Sequence, residues 1–254
     1  MPNYFLRISQ LLPITLFAVV LFVLCDGRAN AQVLWYNGDP NNVTSIYSTD
    51  NSSTTENTAI AYDDFKVTGT GTWQVSGLFG DFLFANSATL PTTANWYILS
   101  GVSAGNGGTV VASGTSAIIS VASLGIYPTN TSYTSYQIAV TGLTDLDLGP
   151  GTYWLGIQPI SSTSDAGYLQ TTSGINAVGT PPGNDGNAFW SQTSQLDPET
   201  DAYFESTTAI KSTLSDFSLG VTGEVVPEPS TWALTFAGVG LVVIRGLRSR
   251  RARA

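Results

Sequence analysis

Short runs in which every second residue is hydrophobic, separated by clusters of Gly, Asn, Asp and Pro, fill the middle of this chain. Period-two alternation marks a strand with one buried and one solvated face, because successive side chains of an extended backbone point to opposite sides. Tyr136, Ile138 and Val140 follow it, as do Tyr153, Leu155 and Ile157. From Thr72 onward the phase changes: Trp73 and Val75 share one parity, whereas Leu78, Phe82 and Phe84 share the other. A glycine at the change, Gly77, predicts a bulge or bend there.

Strands are predicted at 33–36, 59–67, 72–84, 95–100, 109–113, 117–121, 135–143, 152–158, 167–170, 188–190 and 217–222. Turn residues such as Asn37-Gly38-Asp39-Pro40 and Leu148-Gly149-Pro150-Gly151 separate them. No segment carries a convincing amphipathic-helix pattern. The longest weakly patterned region is 161–213. Many short strands at this spacing predict an all-β fold, an antiparallel β-sandwich.

The two ends depart from this pattern. Near the N-terminus Arg7 precedes an apolar stretch from Leu11 to Cys25, and Ala29-Asn30-Ala31 supplies the small-x-small pattern of a signal-peptidase site. Residues 1–31 therefore read as a signal peptide, with Gln32 as the mature start. Cys25 raises a lipoprotein alternative, but Leu24 before it is bulkier than lipid processing favours. At the C-terminus, Pro227-Glu228-Pro229 is followed by an apolar run from Trp232 to Ile244 and by Arg245, Arg248, Arg250, Arg251 and Arg253. As a helix, the run spans about 20 Å at roughly 1.5 Å per residue, a marginal crossing of about 30 Å of hydrocarbon. Arginine stems reaching toward the headgroups extend it, and the positive-inside bias places the arginines in the cytoplasm. Three domains follow: 1–31, an ectodomain 32–226 and a tail 227–254.

The stretch Val226-Pro227-Glu228-Pro229-Ser230-Thr231-Trp232, the apolar segment with Gly238 and Gly240, and the arginine cluster together resemble the PEP-CTERM sorting signal of exopolysaccharide-producing Gram-negative bacteria. The resemblance implies that a membrane-embedded exosortase-type transpeptidase recognises the motif and removes the tail, so that the membrane stop is temporary. The alternative is a permanent single-pass anchor. Within the ectodomain, Asp63-Asp64-Phe65, Gly151-Thr152-Tyr153-Trp154-Leu155 and Gly186-Asn187-Ala188 resemble uncharacterised ectodomains that carry the same tail, which implies a jelly-roll-like sandwich.

Composition then restricts the chemistry. Residues 32–226 contain no cysteine, histidine or methionine, and only Lys66 and Lys211 are basic, against 16 acidic residues. Disulfides, histidine metal sites and histidine-dependent triads are excluded. The acidic surface repels nucleic acid and anionic polymers. The Gly-x-Ser-x-Gly string Gly101-Val102-Ser103-Ala104-Gly105 has no histidine to activate its serine, no Ser-x-x-Lys pattern occurs, and no carboxylate pair is marked for glycoside hydrolysis, so an enzyme is not expected.

Two sets of residues are candidates for binding. If Tyr153, Leu155 and Ile157 face the core, Trp154 faces the other way beside Gly156, and its indole can stack on a sugar ring; Trp190 offers a second ring. Asp197, Glu199 and Asp201 alternate in a loop-like stretch and are candidate calcium ligands, without the glycine and glutamate spacing of an EF-hand. Covered tryptophans and solvated acids are the respective alternatives. Asp63 and Asp64 are adjacent on a predicted strand and so are not expected to chelate together without a bulge. The expected function is that of an exported surface or extracellular-matrix protein with a structural or adhesive role. The alternative is a carbohydrate-binding module of the exopolysaccharide matrix, calcium-stabilised or not. Signal peptidase and the exosortase-type enzyme are the expected processing partners.

Overall fold

A computed structural model describes residues 31–50, 58–144, 146–161, 165–183, 185–193, 205–206 and 216–227. All their regular structure is strand: β1 (Gln32–Tyr36), β2 (Pro40–Tyr47), β3 (Thr58–Val67), β4 (Thr72–Ala85), β5 (Thr93–Ser100), β6 (Thr109–Ile126) and β7 (Tyr133–Thr141) are followed by β8 (Asp147–Leu148), β9 (Gly151–Pro159), β10 (Tyr168–Thr172), β11 (Phe189–Thr193), β12 (Glu205–Ser206) and β13 (Leu219–Val226). All the strand pairings are antiparallel, along the path β1-β13-β4-β7-β6-β5-β9-β3-β11-β12, with β8 and β10 on β4 and β2 on β10.

The sheet curls on itself. β6 is the corner: its first part, Thr109 to Ala117, pairs with β5, and its second, Ile118 to Ile126, pairs with β7. The half containing β1, β13, β4 and β7 thereby faces the half containing β5, β9 and β3, as in a β-sandwich. Trp73, Val75, Leu78, Phe82, Ile138 and Val140 from the first half meet Phe65, Ile98, Leu155 and Ile157 from the second in one core. Phe65 joins them most directly, with ring centroids 5.5 Å from Trp35 and 5.8 Å from Trp73.

The phase change in β4 is a bulge. Thr222 pairs with Gly77 but Gly223 with Val75, so Ser76 is the extra residue that turns Leu78, Phe82 and Phe84 inward after Trp73 and Val75. A second bulge, in β1, leaves Leu34 extra between Val33 and Trp35. The two strands predicted at 109–113 and 117–121 form one strand instead. Gly114 between them is not a turn but a close approach: a Cβ there would lie 2.9 Å from the Trp96 ring. β2, not predicted, starts in an Asn-Asn pair whose turn character is local: Asn41 Oδ1 accepts from the amides of Val43 and Thr44, after which the chain runs as a strand beside β10.

On the side of β3, β5 and β9 away from this core, Ile60, Tyr62, Leu99 and Val102 form a second apolar cluster, with Tyr97, Val110, Trp154 and Phe189 packed on it. Gly156 makes room for it, since a Cβ there would lie 2.6 Å from the Tyr62 ring. Gly156→Val is expected to lower stability by about 1–3 kcal/mol through overpacking. The urea midpoint measures this, and an unchanged midpoint would mean that Tyr62 moves aside freely.

Candidate functional site

The two bulges decide which side chains reach the outer face of the first half-sheet. After the one in β1, Trp35 turns into the core and Tyr36 turns out. After the one in β4, Leu78 and Phe82 turn in, whereas Phe79 and Asp81 turn out. Gln137 of β7 stands directly opposite Asp81. Tyr36 and Phe79 flank Gly220 in the register, and because that glycine has no side chain their rings approach to 5.3 Å over β13.

Around this row lies a cleft of about 560 Å³, walled by Pro40, Asn41 and Asn42 on one side and by Ser173, Ile175 and Leu124 on others. Its floor is a connected polar network. The Tyr36 hydroxyl is 3.1 Å from Asp39 Oδ1 and 3.2 Å from Asp81 Oδ2, so its single proton is shared between two carboxylates. Gln137 Nε2 donates to Asp81 Oδ1 at 3.1 Å, and Ser218 Oγ lies 2.6 Å from Asp81 Oδ2. Asn176 Nδ2 donates to Asp39 Oδ2 at 2.7 Å.

Asp81 is fully buried, which pushes its carboxyl up from the usual range, while the bonds from Ser218, Gln137 and Tyr36 pull it back. Burial, together with the charge of Asp81, pushes the Tyr36 phenol up as well, so it acts here as a neutral donor. Among the described residues, no lysine or arginine lines the cleft.

A second concentration of polar groups lies where the sequence motifs meet. In the register of β3 and β9, Asp64 faces Trp154 and Phe65 faces Tyr153. Asp63 is fully inside: one oxygen accepts from Asn37 Nδ2 at 2.7 Å and from the Phe217 amide, the other from the Asp64 amide at 2.9 Å. The neighbouring Asp216 accepts from the amides of Asp185, Gly186 and Ala188. Trp154 Nε1 donates to Asn187 O at 3.0 Å. Asp63-Asp64-Phe65, Gly151 to Leu155 and Gly186 to Ala188 therefore form one hub that fastens the loop before β11 to the sheet.

None of these hub residues is basic. Burial and the charge of Asp216 hold Asp63 well above the usual carboxylate range. Burial, with the charges of Asp185 and Asp216, raises Asp64 to about 7. Burial raises Asp216 to about 6 against the pull of the Gly186 and Asp185 amides. Asp64 Oδ1 is buried without a hydrogen-bond partner. Among the described residues no three acidic side chains converge as a metal site.

No protein-family model, curated protein or solved structure matches the chain.

The two candidate tryptophans lie on opposite faces of the same half-sheet and do not form one platform. Trp154 points away from the main core, as its strand's alternation predicts, and sits half-buried on the second apolar cluster. Trp190 packs against the main core, and its Nε1 donates to Tyr47 O at 2.7 Å. Asp197, Glu199 and Asp201 lie outside the described residues, as do Ala29, Glu228, Pro229 and the terminal arginines; Ala31 and Pro227 are exposed. The cleft residues Tyr36, Asp81 and Gln137 were not singled out in the sequence. Asp81 carried the signal: a lone carboxylate inside Leu78-Phe79-Gly80-Asp81-Phe82-Leu83-Phe84 must find hydrogen-bond donors wherever that strand is buried.

Proposed function

We propose that the chain is an exported protein, sorted through a PEP-CTERM-type tail, whose jelly-roll-like ectodomain serves a structural or adhesive role at the cell surface or in the exopolysaccharide matrix. One observation carries the reading. β1 and β13 are antiparallel neighbours, with Gln32 paired to Gly223, so the signal-peptidase junction before Gln32 and the tail junction after Val226 leave the sheet at the same end. β13 is complete at Val226 and is held between β1 and β4. Cleavage at either junction therefore removes none of the described strands, and exposed Pro227 cannot continue the ladder as a donor.

The role is taken as non-enzymatic. The ectodomain has neither histidine nor cysteine, and the buried acids Asp63 and Asp216 are engaged by backbone amides. In this reading the tail crosses the inner membrane only until an exosortase-type enzyme removes it.

Intact mass and membrane fractionation of the protein from its native cells test this. The wild type is expected to lack the tail and to leave the membrane fraction, and a Pro227→Ala, Pro229→Ala double variant to keep the tail and stay there. An intact tail in both would mean a permanent anchor and would sink the reading.

A further inference from the structure

We propose that the cleft on the outer face of the first half-sheet binds a neutral saccharide. The inference deepens the adhesive role proposed above, which it supplies with a ligand, although its test does not depend on the fate of the tail.

Volume, polarity, charge and rigidity together select this ligand class. A cleft of about 560 Å³ lies within the roughly 300–1,000 Å³ typical of small-molecule sites. Its polar groups are amides, carboxylates and hydroxyls, with Asn41, Asn42, Gln137 and Ser173 beside Asp39, and such groups suit hydroxyls that both donate and accept. Leu124 and Ile175, 49% and 62% exposed, stand at its walls as aliphatic surfaces for the C–H faces of a sugar ring. A purely apolar ligand would strip water from this polar floor without replacing its hydrogen bonds.

An anionic ligand would meet Asp39 and Asp81 with no basic side chain among the described lining residues. A cationic ligand would find Asp81 sealed beneath the surface and, in Asp39 as in Asp81, both oxygens already accepting from neutral side chains. The fit is to an uncharged, hydroxyl-rich molecule.

The rim is also held in place before any ligand arrives. The Asp39 amide donates to Ile175 O at 2.8 Å and the Ser173 amide to Asp39 O at 2.7 Å, which stitches the two walls together. Asn42 and Asn176, with φ of 57° and 59°, are the non-glycine residues with left-handed backbone among those described, and both border the cleft. Backbone of this kind persists where surrounding bonds fix it and gathers at binding sites. A pre-shaped rim lowers the ordering cost of binding.

Calorimetric titration of the full chain in detergent micelles is the test, with cellohexaose, mannohexaose and xylohexaose as neutral probes and hexagalacturonate and spermidine as charged ones. Saturable binding of a neutral hexasaccharide is expected, at least tenfold weaker in a Leu124→Ala, Ile175→Ala double variant. Asn42→Gly, which removes the amide and keeps the left-handed backbone accessible, is expected to weaken it by a similar factor. Val111→Ala, an exposed position on the β5-paired part of β6, is expected to bind as the wild type does. The proposal is overturned if no neutral probe binds at millimolar concentration, if the cleft variants bind like the wild type, or if hexagalacturonate or spermidine is preferred.

Discussion

Phe65→Ala is expected to cost about 3–5 kcal/mol of stability, read as a drop in the urea midpoint with an unchanged slope. Phe65 is fully buried, and Trp73 stacks on it at an interplanar angle of 9°. Trp35 and Tyr153 lie against it with centroids at 5.5 and 5.6 Å. These four rings come from β1, β3, β4 and β9, so they bridge the two half-sheets. Each ring is fixed by its strand, and Trp35 also by the bond from its Nε1 to Pro181 O, so the space left by the phenyl ring does not close. A loss below about 1 kcal/mol would show that the half-sheets shift to fill the gap and that the core is far softer than this packing implies.

The second large effect is a stability that falls as pH rises. In the unfolded chain the carboxyls of Asp64 and Asp216 titrate near pH ~4, whereas in the folded protein burial raises them to about 7 and about 6. Between these values the native state holds protons that the unfolded chain has released. The stabilisation is fully present below the unfolded pKa and is lost as pH rises through the folded ones. Asp63 and Asp81, raised in the same direction, reinforce the trend.

Urea titrations at pH 4, 6 and 8 should therefore show stability falling by about 2–4 kcal/mol across that range. Each tenfold difference in proton affinity between the folded and unfolded chain is worth ~1.4 kcal/mol, and coupling between the acids keeps the total below the simple sum. Asp64→Asn, which removes the ionisation at the residue whose Oδ1 has no partner, should flatten the curve and leave the variant more stable than the wild type at pH 8. Stability that rises from pH 4 to pH 8 would overturn the account.

Much of the fold was legible because one face of most strands meets a core. Alternation located β4, β7 and β9, and the parity change in β4 revealed a bulge before any partner was known. It failed where residue type and context part company. Gly114 reads as a break but accommodates the Trp96 ring, and Asn41-Asn42, residue types common in turns, lie inside β2. The motifs around Asp63, Trp154 and Asn187 were visible as short strings, but not their meeting, because Asp216, which ties the loop down, carries no local signature. The cleft was hidden for a related reason. Tyr36, Asp81 and Gln137 come from three strands, and they share a face only because two bulges shift the phase of β1 and β4. Trp190 looked available because the three residues of a strand predicted at 188–190 do not say whether an indole faces solvent or the core; its bond to Tyr47 O does.

If the chain is exported as proposed, the pairing of β1 with β13 also sets the order of events. β1, near the start of the ectodomain, has its ladder partner at the far end of it. Contacts so distant in sequence form late and slowly. β4 likewise lacks its β13 neighbour until that strand has crossed. In that case the chain would stay short of its final fold, and threadable, for nearly the whole of translocation. A tail that stopped in the membrane, as proposed, would hold the last strand beside the exit, where β1 would be waiting for it.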